Sequence, residues 1–176
     1  MTEKLKVYLD TNIIYDYFQR TAKEIVENKE FRNVKKLLFI QNNPDFLEAY
    51  TSFFTLIEVA DRIMRDFDLK PERVRKIIES FIQDYKIEIL RSVTLTEETL
   101  DWFLSNISMK DAIQLNIALN ERLVFITEDD KLFRKARKIT ENVMKFNRLV
   151  RIIKNLKRRE QASSILMFFP SPRKLV

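Results

Sequence analysis

The chain has 176 residues, 45% hydrophobic and 33% charged, the size and composition of one globular domain with a real core. It holds no cysteine and no histidine, which excludes disulfides and the usual zinc sites; it holds no glycine, which excludes the phosphate-cradling Walker loop and the GxGxxG dinucleotide turn. The net charge of +6 conceals a split: residues 131–176 carry 14 of the 32 Lys+Arg and 2 of the 26 Asp+Glu, a net of +12, against −6 for residues 1–130.

In chain order, Leu5 to Leu9 reads as a short buried strand ending at Asp10. Thr11 to Arg20 and Ala22 to Gln41 read as helices. Ala49 to Phe54 fits a short strand or the start of a helix, and Thr55 to Phe67 is helical, with Leu56, Ala60, Ile63, Met64 and Phe67 on one face. Pro71 opens the next helix, whose apolar stripe is Val74, Ile77, Ile78, Phe81 and Ile82. Lys86 to Leu90 fits a strand, and Thr96 caps a helix that starts Glu97-Glu98. Ser108 caps a helix from Met109 to Asn120. Leu123 to Thr127 is a second convincing strand, followed by a helix from Asp129. Asn142 to Phe146 fits a last short strand. Asn147 to Glu160 is an amphipathic basic helix with Leu149, Ile152, Ile153 and Leu156 apolar, and SSILMFFPSP reads as a strand or a docking segment. Without glycine, left-handed helix caps fall to asparagine, with Asn42-Asn43 and Asn120 the candidates.

Strands alternating with helices predict an α/β fold with a parallel sheet, in which ligands bind at the carboxyl ends of strands. Asp10 and Asp129 both stand at or just past such ends, so two acids far apart in sequence could converge. Asp111 and Glu58 join them as acids inside helices. Each has a plain structural reading as well. Asp10, Asp111 and Asp129 stand where helix-capping acids stand, and Glu58 lies opposite its helix's apolar stripe, where a solvated glutamate is expected. Asp130 is a further acid of open role. Carboxylates without imidazole or thiolate are the ligands of hard cations such as Mg²⁺ or Mn²⁺. The basic C-terminal third suits a polyanion, or is simply a solvated surface.

The order of these acids resembles the PIN-domain nucleases. An acid at the end of the first strand is followed by Thr-Asn, here Asp10-Thr11-Asn12. A helical glutamate follows a Ser/Thr-rich turn, here Thr55-Leu56-Ile57-Glu58. A third acid opens a helix of the D-A type, here Asp111-Ala112 to Ala118-Leu119, and a strand ends in T-x-D, here Thr127-Glu128-Asp129. The resemblance covers about residues 5 to 146. It implies a three-layer α/β/α sandwich around a short central parallel sheet, residues 1–146, with a basic helical extension, residues 147–176, packed on or beside it. It implies one or two Mg²⁺ or Mn²⁺ ions held by Asp10, Glu58, Asp111 and Asp129, with Thr11, Asn12 and Thr127 supporting. The implied activity is endonucleolytic hydrolysis of single-stranded or structured RNA, leaving 5′-phosphate and 3′-hydroxyl ends. RNA contacts are expected from Lys131, Arg134, Lys135, Arg137, Lys138, Arg148, Arg151, Lys154, Lys157, Arg158 and Arg159.

Many small members of the family are toxins paired with an antitoxin protein. The long stretch from Asp68 to Asn106 and the basic extension fit an RNA-processing nuclease equally. The stripe of Leu149, Ile152, Ile153 and Leu156 could serve a homodimer or cover the core. No apolar run approaches the roughly 18 residues that span a bilayer, and MTEKLKVYLD lacks a signal-peptide core, so a cytoplasmic location is expected. Two other readings compete. One is a catalytically idle RNA- or protein-binding module on the same fold. The other is a haloacid-dehalogenase-like phosphatase, a chemistry that wants D-x-D where this chain has Asn12.

Overall fold

The structure, a computed structural model, describes residues 3–28 and 34–168, the last six of these by backbone alone. Its elements run β1 (Leu5–Leu9), α1 (Thr11–Glu27), α2 (Lys35–Gln41), β2 (Leu47–Ser52), α3 (Phe53–Phe67), α4 (Pro71–Asp84), β3 (Ile87–Leu90), α5 (Glu97–Leu104), α6 (Met109–Asn120), β4 (Val124–Ile126), α7 (Asp130–Ala136), β5 (Val143–Met144) and α8 (Phe146–Phe168). The five strands form one all-parallel sheet in the order β3-β2-β1-β4-β5. The expected α/β class and parallel sheet are therefore present. Ala49 to Phe54 contains both expected features, because β2 ends at Ser52 and α3 begins at Phe53.

Side chains alternate across β1 as the strand period requires. Val7 and Leu9 enter one core cluster, with α1, α2, α3, α4 and α8 packed over it. Tyr8 enters the other, with α6 and α7, and stacks on Phe125 of β4 at 5.8 Å between ring centroids. Helices thus cover both faces, and β1 is buried on both sides. This explains its near-continuous apolar sequence.

Several local expectations differ from the structure. No break occurs near Thr21: α1 continues to Glu27 and ends with Asn28 in the left-handed region, φ 52°. Nothing at Thr21 opposes helical geometry, whereas asparagine accepts the left-handed one. The helix expected from Ala22 to Gln41 is consequently two, α1 and α2. Asn42 does not cap left-handed (φ −84°), and Asn120 is still helical; the left-handed positions after α3, α5 and α6 are Asp68, Asn106 and Arg122. On α3, Val59 is buried while Met64 is exposed; on α4, Ile82 is exposed. Through residue 168 the last segment is helix rather than strand, and residues 169–172 lie outside the described ones.

The first turns of α8 belong to the core. Leu149 and Ile153 are fully buried in the same cluster as Leu37 and Ile63, and Leu156 packs against it. The apolar stripe therefore covers the core. Ile153→Ala should lower stability by roughly 2–5 kcal/mol in urea unfolding. A loss under 0.5 kcal/mol, the scale of surface substitutions, would mean that α8 is only laid on the surface.

Candidate acid site at the carboxyl edge of the sheet

The sheet order reverses direction at β1: β2 and β3 lie on one side, β4 and β5 on the other. Loops leaving β1 and β4 diverge there, which opens a crevice beyond their carboxyl ends. Asp10 follows β1, and Thr127 follows β4. Thr127 Oγ1 donates to Asp10 Oδ2 at 2.6 Å across that crevice.

Asp10 occupies the N-cap position of α1 but makes no capping hydrogen bond with its side chain. It is 2% exposed, and Asn12 Nδ2 donates to the same Oδ2. Asn12 also ties down the β4–α7 loop: its Nδ2 reaches Thr127 Oγ1 at 3.0 Å, and its Oδ1 accepts from the Glu128 amide at 2.8 Å. The D-T-N run thus orients the loop that carries Thr127 and Asp129.

Glu58 projects from α3 with its side chain 20% exposed. It is held rather than freely solvated. Oε2 accepts from Thr11 Oγ1 at 2.8 Å and from Gln114 Nε2 at 2.8 Å, while Oε1 lies 3.5 Å from Lys110 Nζ. Asp111 stands in the first turn of α6, where Ser108 Oγ accepts from its amide at 3.2 Å and donates to Asp111 Oδ2 at 2.6 Å. Asp129 caps α7, its Oδ1 accepting from the Leu132 amide at 2.8 Å. Asp129 caps as expected, whereas the Asp111 carboxylate takes its bond from the Ser108 hydroxyl, the cap itself being Ser108; neither excludes a second role, because both acids line a cavity of about 250 Å³. Ser108, Lys131 and Lys135 share that lining.

Electrostatics links the acids. Burial pushes the Asp10 carboxyl from 3.8 up to about 7 against the Thr127 hydrogen bond, and the charges of Asp111 and Glu58 push the same way. Asp111 is also raised, first by burial, then by Glu58 and Asp129, with the Ser108 bond and Lys135 opposing. Four acids from four separate segments therefore share one electrostatic neighbourhood. Among the described residues, no three acidic side chains already stand close enough to enclose a metal ion.

The PIN domain family model matches residues 7–139 of this chain. The chain belongs to the PIN domain family. Its fold is similar to that of a crystallised protein from Pyrobaculum aerophilum at 13% identity and TM-score 0.51, covering 86% of this chain and 96% of that one. Two further similarities are a PilT N-terminus domain protein from the archaeon Sulfolobus solfataricus (8% identity, TM-score 0.44, 85% and 93% covered) and a toxin–antitoxin complex from Klebsiella pneumoniae (20%, 0.43, 78% and 95%). A search of curated proteins finds no match.

The basic residues of this PIN domain fall into two places. Lys131 and Lys135 of α7 line the acid cavity, and Lys135 Nζ donates to the Asn106 carbonyl. Arg134 and Arg137 reach backbone carbonyls of Asp130 and Glu141, and Lys138 is exposed beside them. The α8 series runs away from the acids. Arg148 and Arg151 lie in its first two turns. Lys157 sits 5.9 Å over the ring of Phe46, which precedes β2 at the opposite, amino edge of the sheet. At 1.5 Å per residue that is about 16 Å along the helix from Phe146. Lys154, Arg158 and Arg159 lie toward that same end.

Two residues at the site carry no signal strong enough to be found by reading. Lys145, a single lysine after β5, pairs with Asp130 at 2.8 Å and donates to the Glu128 carbonyl at 2.7 Å, so it braces the β4–α7 loop and gives Asp130 a partner. Gln114, three residues after Asp111, passes as one polar interruption of a mostly apolar helix.

Asp10 should make metal-free stability pH-dependent. Its folded affinity for a proton exceeds its unfolded one, so its contribution is complete below pH 3.8, falls as pH rises, and is gone above about 7. Asp111 acts in the same direction. In EDTA, wild type should lose on the order of a few kcal/mol between pH 5 and pH 8. Asp10→Asn should lose less and be the more stable protein at pH 8. Identical pH slopes from urea unfolding would show that burial does not perturb Asp10.

Proposed function

We propose that this PIN domain is a Mg²⁺- or Mn²⁺-dependent endoribonuclease that hydrolyses phosphodiester bonds in RNA. The observation that supports the reading is the electrostatic link among Asp10, Glu58, Asp111 and Asp129 at the sheet's switch point: the charges of Asp111 and Glu58 raise the proton affinity of Asp10, and those of Glu58 and Asp129 raise that of Asp111. Their donor set fits a hard divalent cation: every donor is a carboxylate oxygen, and their mutual repulsion is what such a cation relieves.

Asp10 and Asp111 are the principal ligands in this reading, with Glu58 and Asp129 completing the set as their side chains close in. A bound ion supplies the positive charge that the carboxylates lack, polarising the phosphoryl group and acidifying the attacking water. Thr127 and Asn12 fix the Asp10 carboxylate against β4. Lys131 and Lys135, on the wall of the same cavity, hold backbone phosphates that the acids alone would repel. Water attack in line leaves 5′-phosphate and 3′-hydroxyl ends. Arg148 and Arg151, and beyond them Lys154 to Arg159, extend the contact along α8 for longer RNA.

Labelled mixed-sequence RNA should be cleaved by wild type with Mn²⁺ or Mg²⁺ and not with EDTA. Asp10→Asn should reduce the rate by at least a hundredfold while still binding RNA. Persistent cleavage by the mutant would remove Asp10 from the chemistry, and RNA binding without cleavage by either protein would favour an idle binding module.

The lysine assignment has its own test. Lys131→Ala/Lys135→Ala should weaken RNA binding and lower the slope of log affinity against log salt by about one to two, as two phosphate contacts require. An unchanged slope would move the RNA away from this cavity.

A further inference from the structure

The two oxygens of Glu58 have different surroundings. Oε2 accepts from both Thr11 Oγ1 and Gln114 Nε2, each at 2.8 Å, while Oε1 faces the Lys110 ammonium at 3.5 Å. Gln114 Nε2 also donates to Thr11 Oγ1 at 2.9 Å. Glutamine, threonine and glutamate therefore close a triangle. Because Thr11 accepts from the amide, its single proton is directed at Glu58, and Glu58 Oε2 is held as an acceptor of two hydrogen bonds.

Gln114 is an unusual residue for its position. It is 1% exposed, lies between the buried Ala112 and Leu115 on α6, and its Oε1 is buried without a hydrogen-bond partner. An apolar side chain of similar length would fill the space without stranding an acceptor. Packing therefore does not explain an amide here. Its donors, aimed at Thr11 and Glu58, do.

We infer that Gln114 is a positioning residue: with Thr11 it clamps Glu58 Oε2 and turns Oε1 outward as the oxygen offered to a divalent cation. This rests on the reading of the acids as a cation site and narrows it, assigning one oxygen of one ligand and naming what fixes it. Lys110 is the charge beside Oε1 that a bound cation replaces. Gln114 touches neither substrate nor ion, so its effect passes through Glu58.

The test is direct Mn²⁺ titration of the full chain, read from the paramagnetic resonance of free Mn²⁺, beside thermal unfolding in EDTA. The proteins are wild type, Gln114→Met, Thr11→Val and Glu58→Gln. Gln114→Met should bind Mn²⁺ about tenfold more weakly, the usual scale for residues that orient metal ligands. It should also unfold at the wild-type temperature or above, since the stranded carbonyl is gone. A structural residue would show the reverse, lower stability with unchanged affinity, and that result overturns the inference. If Gln114→Met does not fold, Thr11→Val decides: weaker binding in a folded protein supports the clamp, and unchanged affinity removes it. Unchanged affinity in both variants while Glu58→Gln binds weakly discards the clamp and leaves the cation site standing. Wild type that binds no Mn²⁺ overturns the cation site, and the clamp with it.

Discussion

The hydrogen bond from Thr127 to Asp10 spans the place where the sheet changes direction, and the site is arranged around it. Chain order forces the encounter. β1 occupies the centre of the sheet, β4 is laid beside it on the side opposite β2, and the residues just past their carboxyl ends must face each other. A carboxylate there is almost wholly removed from water before any ligand arrives. Neutral donors stabilise it only in part, and burial dominates, which is why its proton affinity rises despite its hydrogen bonds. The fold thus builds in a local instability at neutral pH, of the kind that recurs at functional sites.

The surroundings preserve that instability. The groups acting on Asp10 are two neutral donors, a backbone amide and two further acids. Nearby cations hydrogen-bond elsewhere, Lys135 with the Asn106 carbonyl and Lys145 with Asp130 and the Glu128 carbonyl, so Lys135 offsets Asp111 only in part. Had either ammonium folded onto Asp10 or Asp111, an internal salt bridge would have neutralised the cluster. Lys110, on the exposed side of Glu58, is the nearest thing to such a counter-charge, and it is half in water.

Much of this was legible from the residues because the relevant signals are short-range and chemical. A strand that ends in an acid, followed by Thr-Asn, places Asp10, Thr11 and Asn12 together whatever the rest of the chain does. Ser108 announces the start of α6 and so the place of Asp111. The α/β class follows from alternation alone. What could not be read depends on contacts between distant segments. Gln114 resembles any surface glutamine until α6 brings it against Thr11 of α1 and Glu58 of α3, and Lys145 is one lysine in a basic stretch until β5 lies beside β4. Left-handed turns were misplaced for another reason. With no glycine to mark them, they fall on Asn28, Asp68, Asn106 and Arg122, and only geometry distinguishes these from the chain's other asparagines and charged residues.

The C-terminal charge has two consequences that composition merges. Phe146, Leu149 and Ile153 anchor α8 to the main core directly after the last strand, so the helix cannot swing free of the sheet. Its direction is then fixed, from the carboxyl edge, where the acids are, down to Phe46 at the amino edge. A polyanion gripped by the whole length of α8 would have to cross about one strand length of protein to reach Asp10. The cavity lysines line the same wall as Asp111 and Asp129. If the proposed ribonuclease reading holds, chemistry at a single phosphate would depend on Lys131 and Lys135, while α8 would govern how much nucleic acid beyond that phosphate is bound. The separation predicts unequal effects of charge removal at the two places. On that reading, loss of cavity charge should change turnover of short and long RNA alike, whereas loss of charge at Lys154 to Arg159 should matter only to RNA long enough to span the sheet.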